Sequence, residues 1–295
     1  MCGISKKFRE WKKWYSENEL SICAQINLMI IDAAVFHTIN EAKKYASTDA
    51  NGNPELNWMV HDLIDRTFLG TQALSIRRLC DKRDDVISLR RLINSMKVNV
   101  KLLTRENILS ALGFPYDYNK AREKGLQTQN PRMRDNGAHS ENVHKNIDLL
   151  SGVEPSQRQP NDTVKDDLFR RLNDCLDKCE PITKFVNKTV AHSATEQSKG
   201  KVPYKDLKIS LAKIHKAHCR IVRTTAFIGQ FILYESSGWG NFLPSVAGDK
   251  FEHFDKPWVK QGDITNLEDF WSQYEKHIER LNKNPERILK KKNNP

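Results

Sequence analysis

Apolar residues recur every three or four positions along most of the chain, and no stretch sustains the alternation of a strand, so the pattern predicts an all-α protein. Phe8, Trp11, Trp14 and Tyr15 lie at helical spacing among lysines, giving an amphipathic N-terminal segment over residues 1–17, a strap over the core. A long helix is expected from about Glu19 to Ala46, with its stripe on Leu20, Cys23, Ile26, Ile30, Ala34 and Val35. Asp49–Asn53 reads as a turn, and Asn53-Pro54-Glu55 as the start of a second long helix, since proline suits the first helical position. Asp84 and Asp85 suit the first turn of a helix through Met96, and Thr104 with Asn107 opens a short further piece.

From about 116 to 161 the chain is polar and rich in Asn, Gln, Gly and Pro, and reads as a long polar loop with a helix at Ser140–Leu150. Asp162 is the expected cap of the next helix, whose stripe runs Leu168, Leu172, Cys175, Cys179, Ile182, Phe185 and Val186. Pro181 must kink or split that helix. A last core helix is expected over Tyr204–Tyr234. After it come the aromatics Trp239, Phe242, Phe251, Phe254 and Trp258, a helix over Leu267–Leu281, and a basic tail. The domain organisation is therefore an N-terminal segment 1–17, a helical domain 18–236 and a C-terminal aromatic and basic extension 237–295.

Charge narrows the partners. A formal charge of +11 favours an anionic partner, without separating RNA, DNA and acidic membrane surfaces. Basic residues interleaved with Trp11 and Trp14, and the tail Arg287, Lys290, Lys291 and Lys292, could contact phosphates and stack on bases. The longest apolar run, Leu28–Phe36, is interrupted by Asp32 and too short to cross a bilayer, so a cytoplasmic protein without a membrane role is expected. The six cysteines then read as reduced core residues. Cys175 and Cys179 with His215, His218 and Cys219 would pass as zinc ligands by type, but their spacing is equally that of a buried stripe, and no metal or cofactor is assigned. No Gly-rich phosphate loop, GxSxG or HExxH occurs.

Three segments carry a resemblance. Arg77-Arg78-Leu79-Cys80-Asp81, Ser88-Leu89-Arg90-Arg91-Leu92 and Asn187-Lys188-Thr189-Val190-Ala191-His192 follow the order "RRL.D", "SL..L", "NK..AH". In this the chain resembles the HEPN superfamily, specifically its abortive-infection, AbiU-like branch, over roughly residues 20–235. The resemblance implies a HEPN-like helical bundle that forms a homodimer, RNA as partner, and metal-independent ribonuclease or RNA-binding activity in bacterial anti-phage defence, with an antitoxin or defence-system partner protein.

The implied chemistry is consistent with the residue types. His192 could take the proton of a ribose 2′-hydroxyl or give one to the leaving oxygen, and an arginine could hold the phosphate by bidentate hydrogen bonds. No metal is needed, because the nucleophile belongs to the substrate. The superfamily places its arginine at what are here Phe185, Val186 or Asn187, and none is arginine. Asn187 would position the phosphate, while Arg77, Arg78 or Lys188 would stand in for the missing guanidinium, with Asp81 orienting the arginine or His192. The alternative reading is a non-catalytic oligomerisation or protein-binding module, in which Arg78 and Asp81 form a structural ion pair.

Overall fold

Helix starts in this chain are set by side chains that accept otherwise unpaired amide hydrogens. Ser21 accepts from Ala24 N, Asn57 from Val60 N, Ser88 from Arg91 N, Thr104 from Asn107 N, Asp117 from Lys120 N and Ser210 from Lys213 N. The computed structural model describes residues 2–53, 55–129, 131–190 and 209–235, with isolated positions between 269 and 276. The chain divides into two compact units, Met1–Pro244 and Ser245–Pro295. In the second, the described positions Asp269, Ser272, Gln273, Glu275 and Lys276 are helical.

The first unit is built of helices α1 (Cys2–Lys12), α2 (Ile22–Ala42), α3 (Trp58–Leu79), α4 (Leu89–Val98) and α5 (Arg105–Leu112). They are followed by α6 (Tyr118–Gln127), α7 (Pro131–Ser151), α8 (Asp166–Asp177), α9 (Glu180–Phe185) and α10 (Leu211–Ile228). Single π-helical turns extend α1, α9 and α10 at Lys13–Glu17, Val186–Val190 and Gly229–Leu233. Among the described residues there is no strand; an isolated bridge joins Thr104 and Thr163. The expected all-α class holds.

The N-terminal segment is more than a strap. Phe8, Trp11 and Tyr15 are buried in the main core, where Trp11 Nε1 donates to Ser95 Oγ at 2.9 Å and Tyr15 Oη donates to Thr225 O at 3.2 Å. Arg91 lies over the Trp14 ring at 4.1 Å, a cation–π contact.

The expected stripe of α2 is rotated. Ile22, Ile26, Met29, Ala33 and Phe36 face the core, while Leu20 is 70% exposed and Val35 38% exposed. This helix is apolar nearly all round, so its periodicity does not select a face. It is also longer and more apolar than the run Leu28–Phe36 suggests: the stretch Ile4–Tyr45 holds an 18-residue window of mean hydropathy 1.6, a length and composition that could span a membrane. The buried stripe accounts for only part of that apolar surface.

The segment read as a long loop over 116–161 is instead a helical hairpin of α6 and α7. Gly137 explains part of the misreading: a Cβ there would lie 2.7 Å from Cγ of Arg122 and 3.0 Å from Tyr118 O, so this glycine permits close approach of two helices and does not mark a turn. Asp162 does not cap α8, which starts at Asp166; its carboxylate binds Arg105. Pro181 splits α8 from α9, as its missing amide requires. The part of the expected last core helix from Tyr204 to residue 208 lies outside the described residues, and the helix itself begins at Leu211 behind Ser210.

Ser88 joins two elements at once. Its Oγ caps α4 through Arg91 N at 3.0 Å and donates to Asp81 O at 2.7 Å, closing the loop between α3 and α4. Ser88→Ala is expected to lower stability by about 1–2 kcal/mol, read as a lower urea midpoint with the slope unchanged; an unshifted midpoint would refute this role.

Candidate functional site

The last turn of α3 carries Ile76 and Leu79 into the core, which leaves Arg77 half-buried and Arg78 exposed on the turn between them. The break at Pro181 lets α9 pack against α3, and the π turn Val186–Val190 brings Asn187 to the same place. Arg77 Nε donates to Asn187 Oδ1 at 2.7 Å, joining residues 110 positions apart. Among the described residues the two terminal nitrogens of this guanidinium have no hydrogen-bond partner.

The other expected site residues divide. Lys188 is half-buried on the same π turn as Asn187. Asp81 does not pair with Arg78: it accepts from Arg83 N at 3.0 Å and from Arg83 Nε at 3.3 Å. Burial pushes the Asp81 carboxyl up, but the hydrogen bonds from Arg83 and the charges of Arg83 and Arg77 outweigh it and hold its pKa below the usual value. Asp81 therefore contributes negative potential beside Arg77 while its hydrogen bonds shape the α3–α4 loop. Arg78 makes no ion pair among the described residues. His192 lies outside the described residues.

The cysteine and histidine set weighed for zinc is not assembled. Cys179 is buried beside Cys80, and the hydrogen bond between the two thiols lowers the pKa of Cys179 and raises that of Cys80. On α10, Cys219 Sγ is 3.6 Å from His215 Nε2. Among the described residues no group of three His, Cys, Asp or Glu could hold a metal ion. Asp32 is exposed and lines a groove between α2 and α3.

One polar cluster went unread in the sequence. Arg105 is fully buried, its Nη2 2.8 Å from both Asp148 Oδ1 and Asp162 Oδ2, and its Nη1 3.1 Å from His144 Nδ1 and from His144 O. Arg158 adds a second fork to Asp148. An arginine can only donate, so His144 Nδ1 accepts, and the ring proton sits on Nε2, which donates to Tyr116 O at 2.9 Å. Burial, then the charges of Arg105 and Arg158, hold the His144 pKa below its ordinary value. Every member is paired, so this cluster locks α5, α7 and the 155–165 segment together and leaves no group open to a substrate. Its one sequence signal, the spacing His144 to Asp148 on one helical face, resembles any solvated helix.

No family model, curated protein or solved structure matches the chain.

Proposed function

We propose that this chain is a HEPN-like, metal-independent ribonuclease or RNA-binding effector, of the kind that acts in abortive infection. The observation that carries the reading is the Arg77–Asn187 hydrogen bond, which ties the first of the three motif segments to the last. An arginine reaching across from α3 supplies the planar fork that the third segment lacks, with exposed Arg78 beside it.

In the proposed reaction His192 takes the proton of a ribose 2′-hydroxyl. The 2′-oxygen attacks the adjacent phosphorus to form a 2′,3′-cyclic phosphate, the bond from phosphorus to the 5′-oxygen breaks, and that oxygen takes a proton from solvent water as it leaves. Arg77 stabilises the charge that develops on the phosphoryl oxygens, and Asn187 holds Arg77 in place. The experiment that tests the reading is a fluorescence-anisotropy titration of a labelled single-stranded RNA in EDTA. Binding is expected to weaken steeply between about 50 and 200 mM salt and to weaken further when Arg77 and Arg78 are both replaced by alanine. Absence of binding at low salt removes the reading.

A second reading, an oligomerisation module, is favoured by one observation. Leu28, Ile31 and Val35 of α2 and Trp58, Met59 and Leu63 of α3 are large apolar side chains left exposed. A second copy of the chain is the proposed occupant, since homodimers bury self-complementary apolar faces. The light-scattering mass of the native chain is expected to be that of a dimer, and that of Leu28→Glu with Val35→Glu to be that of a monomer. A monomeric native chain removes this reading.

A further inference from the structure

Between α2, α3 and α10 lies a cavity of about 370 Å³ that no part of the proposed RNA chemistry uses. Ile30, Ala33, Phe68, Ile214 and Val222 form its apolar walls. Its polar groups are unevenly placed. His37, His215 and Cys219 are exposed, while His218 is 7% exposed, and its buried Nε2 has no hydrogen-bond partner among the described residues. A buried polar atom without a partner costs free energy unless something meets it. Among the described residues no carboxylate lines the cavity, and its titratable groups are the three histidines and Cys219.

We propose that this cavity binds a small monocarboxylic acid, its aliphatic or aryl body against the apolar walls and its carboxylate on His218. The volume falls within the range of small-molecule sites, and suits an apolar body of roughly eight to twelve carbons, given that a cavity of about 150 Å³ holds a benzene. The carboxylate accounts for the orphaned nitrogen, from which it would accept a hydrogen bond. Burial, then the charges of His215 and His37, push the empty-site His218 pKa down to about 4, so it is neutral at ordinary pH. A bound carboxylate reverses that balance: His218 takes up a proton and donates a charge-assisted hydrogen bond. Uptake of a proton on binding makes the affinity rise as pH falls. This site does not depend on the RNA reading.

The test is calorimetric titration of the full chain with octanoate, 1-octanol and zinc, at about pH 6 and pH 8, in two buffers of different ionisation heat. Octanoate is expected to bind more tightly at the lower pH with net proton uptake, and 1-octanol to bind at least about tenfold more weakly. His218→Gln should lose the proton uptake and the pH dependence. Val222→Phe, which fills the cavity and keeps the histidine in the sequence, should abolish octanoate binding while leaving the circular-dichroism spectrum unchanged. No octanoate binding by the folded native chain overturns the proposal. So does equal binding of alcohol and acid without proton uptake, and so does zinc binding that excludes octanoate, which would make the cluster a metal centre.

Discussion

Arg105→Met is expected to destabilise the protein by about 3–5 kcal/mol, because it leaves Asp148 and Asp162 with less compensation in a site where both are nearly buried. Arg158 still reaches Asp148, so the larger share of the loss falls on Asp162. Arg105→Lys should recover only part of the stability, since three donors on one nitrogen cannot span the acceptors that the guanidinium fork reaches on Asp148, Asp162 and His144. Both appear as shifts of the thermal or urea midpoint, and a variant within about 0.5 kcal/mol of the native protein would show the cluster to be dispensable.

The same cluster sets an acid limit. Burial raises the Asp148 carboxyl, but hydrogen bonds and charges from Arg158 and Arg105 outweigh burial and hold its pKa below the usual carboxylate range. His144, lowered by burial first, is neutral in the fold and becomes charged more readily in the unfolded chain. In both cases the unfolded state binds more protons, so stability rises with pH. It should be intact above about pH 7 and begin to fall as the unfolded histidine protonates below about 6.5. It should fall further through the carboxylate range. Arg105→Met should flatten that profile between about pH 6 and 3. A native profile that is flat through this range would contradict the assignment.

The second large effect concerns the proposed chemistry. His192→Ala is expected to reduce RNA cleavage by about 10²–10⁴-fold, the usual weight of a general acid or base. Arg77→Ala should reduce it by about 10²–10³-fold, comparable to removing one donor aimed at a developing oxyanion. Asn187→Ala acts through Arg77 and should cost less, with Arg77→Ala adding little to it in the double variant, since coupled residues are not additive. Rates measured with saturating RNA separate these effects from binding. Additive losses in the double variant would mean that the 2.7 Å contact has no role in catalysis.

How much of this could be read beforehand follows from how each helix buries its face. The stripe of α8 and α9 is legible in large part because apolar positions alternate with charged ones: Leu168, Leu172, Cys179, Ile182 and Val186 are buried, while the expected Cys175 and Phe185 are half-buried and Phe169 and Leu176 complete the face. The face of α2 is not, because a helix apolar all round carries no phase. The hairpin of α6 and α7 was misread because its composition is that of a loop. Val143, Ile147 and Leu150 bury only the last turns of α7, and Gly137 serves a helix contact. At the candidate site, Arg77 and Asn187 were named as residues from separate segments, and the fold brings them into contact. Asp81 pairs with Arg83 and not with Arg78: a loop partner two residues away outcompetes a helix neighbour when the chain turns back on itself. The Arg105 cluster and the cavity around His218 are assembled from segments far apart in sequence; the local spacings within them, His144 to Asp148 and His215, His218 to Cys219, do not announce the contacts with the other segments.

The central claim is that RNA is cut at a site built on Arg77, Asn187 and His192. The most direct measurement is cleavage of a mixed tRNA and single-stranded RNA pool by the purified full chain in EDTA, beside folded His192→Ala and Arg77→Ala. The account predicts cleavage by the native protein that persists in EDTA and is lost in both variants. No cleavage by the native protein, or equal cleavage by all three, would contradict it.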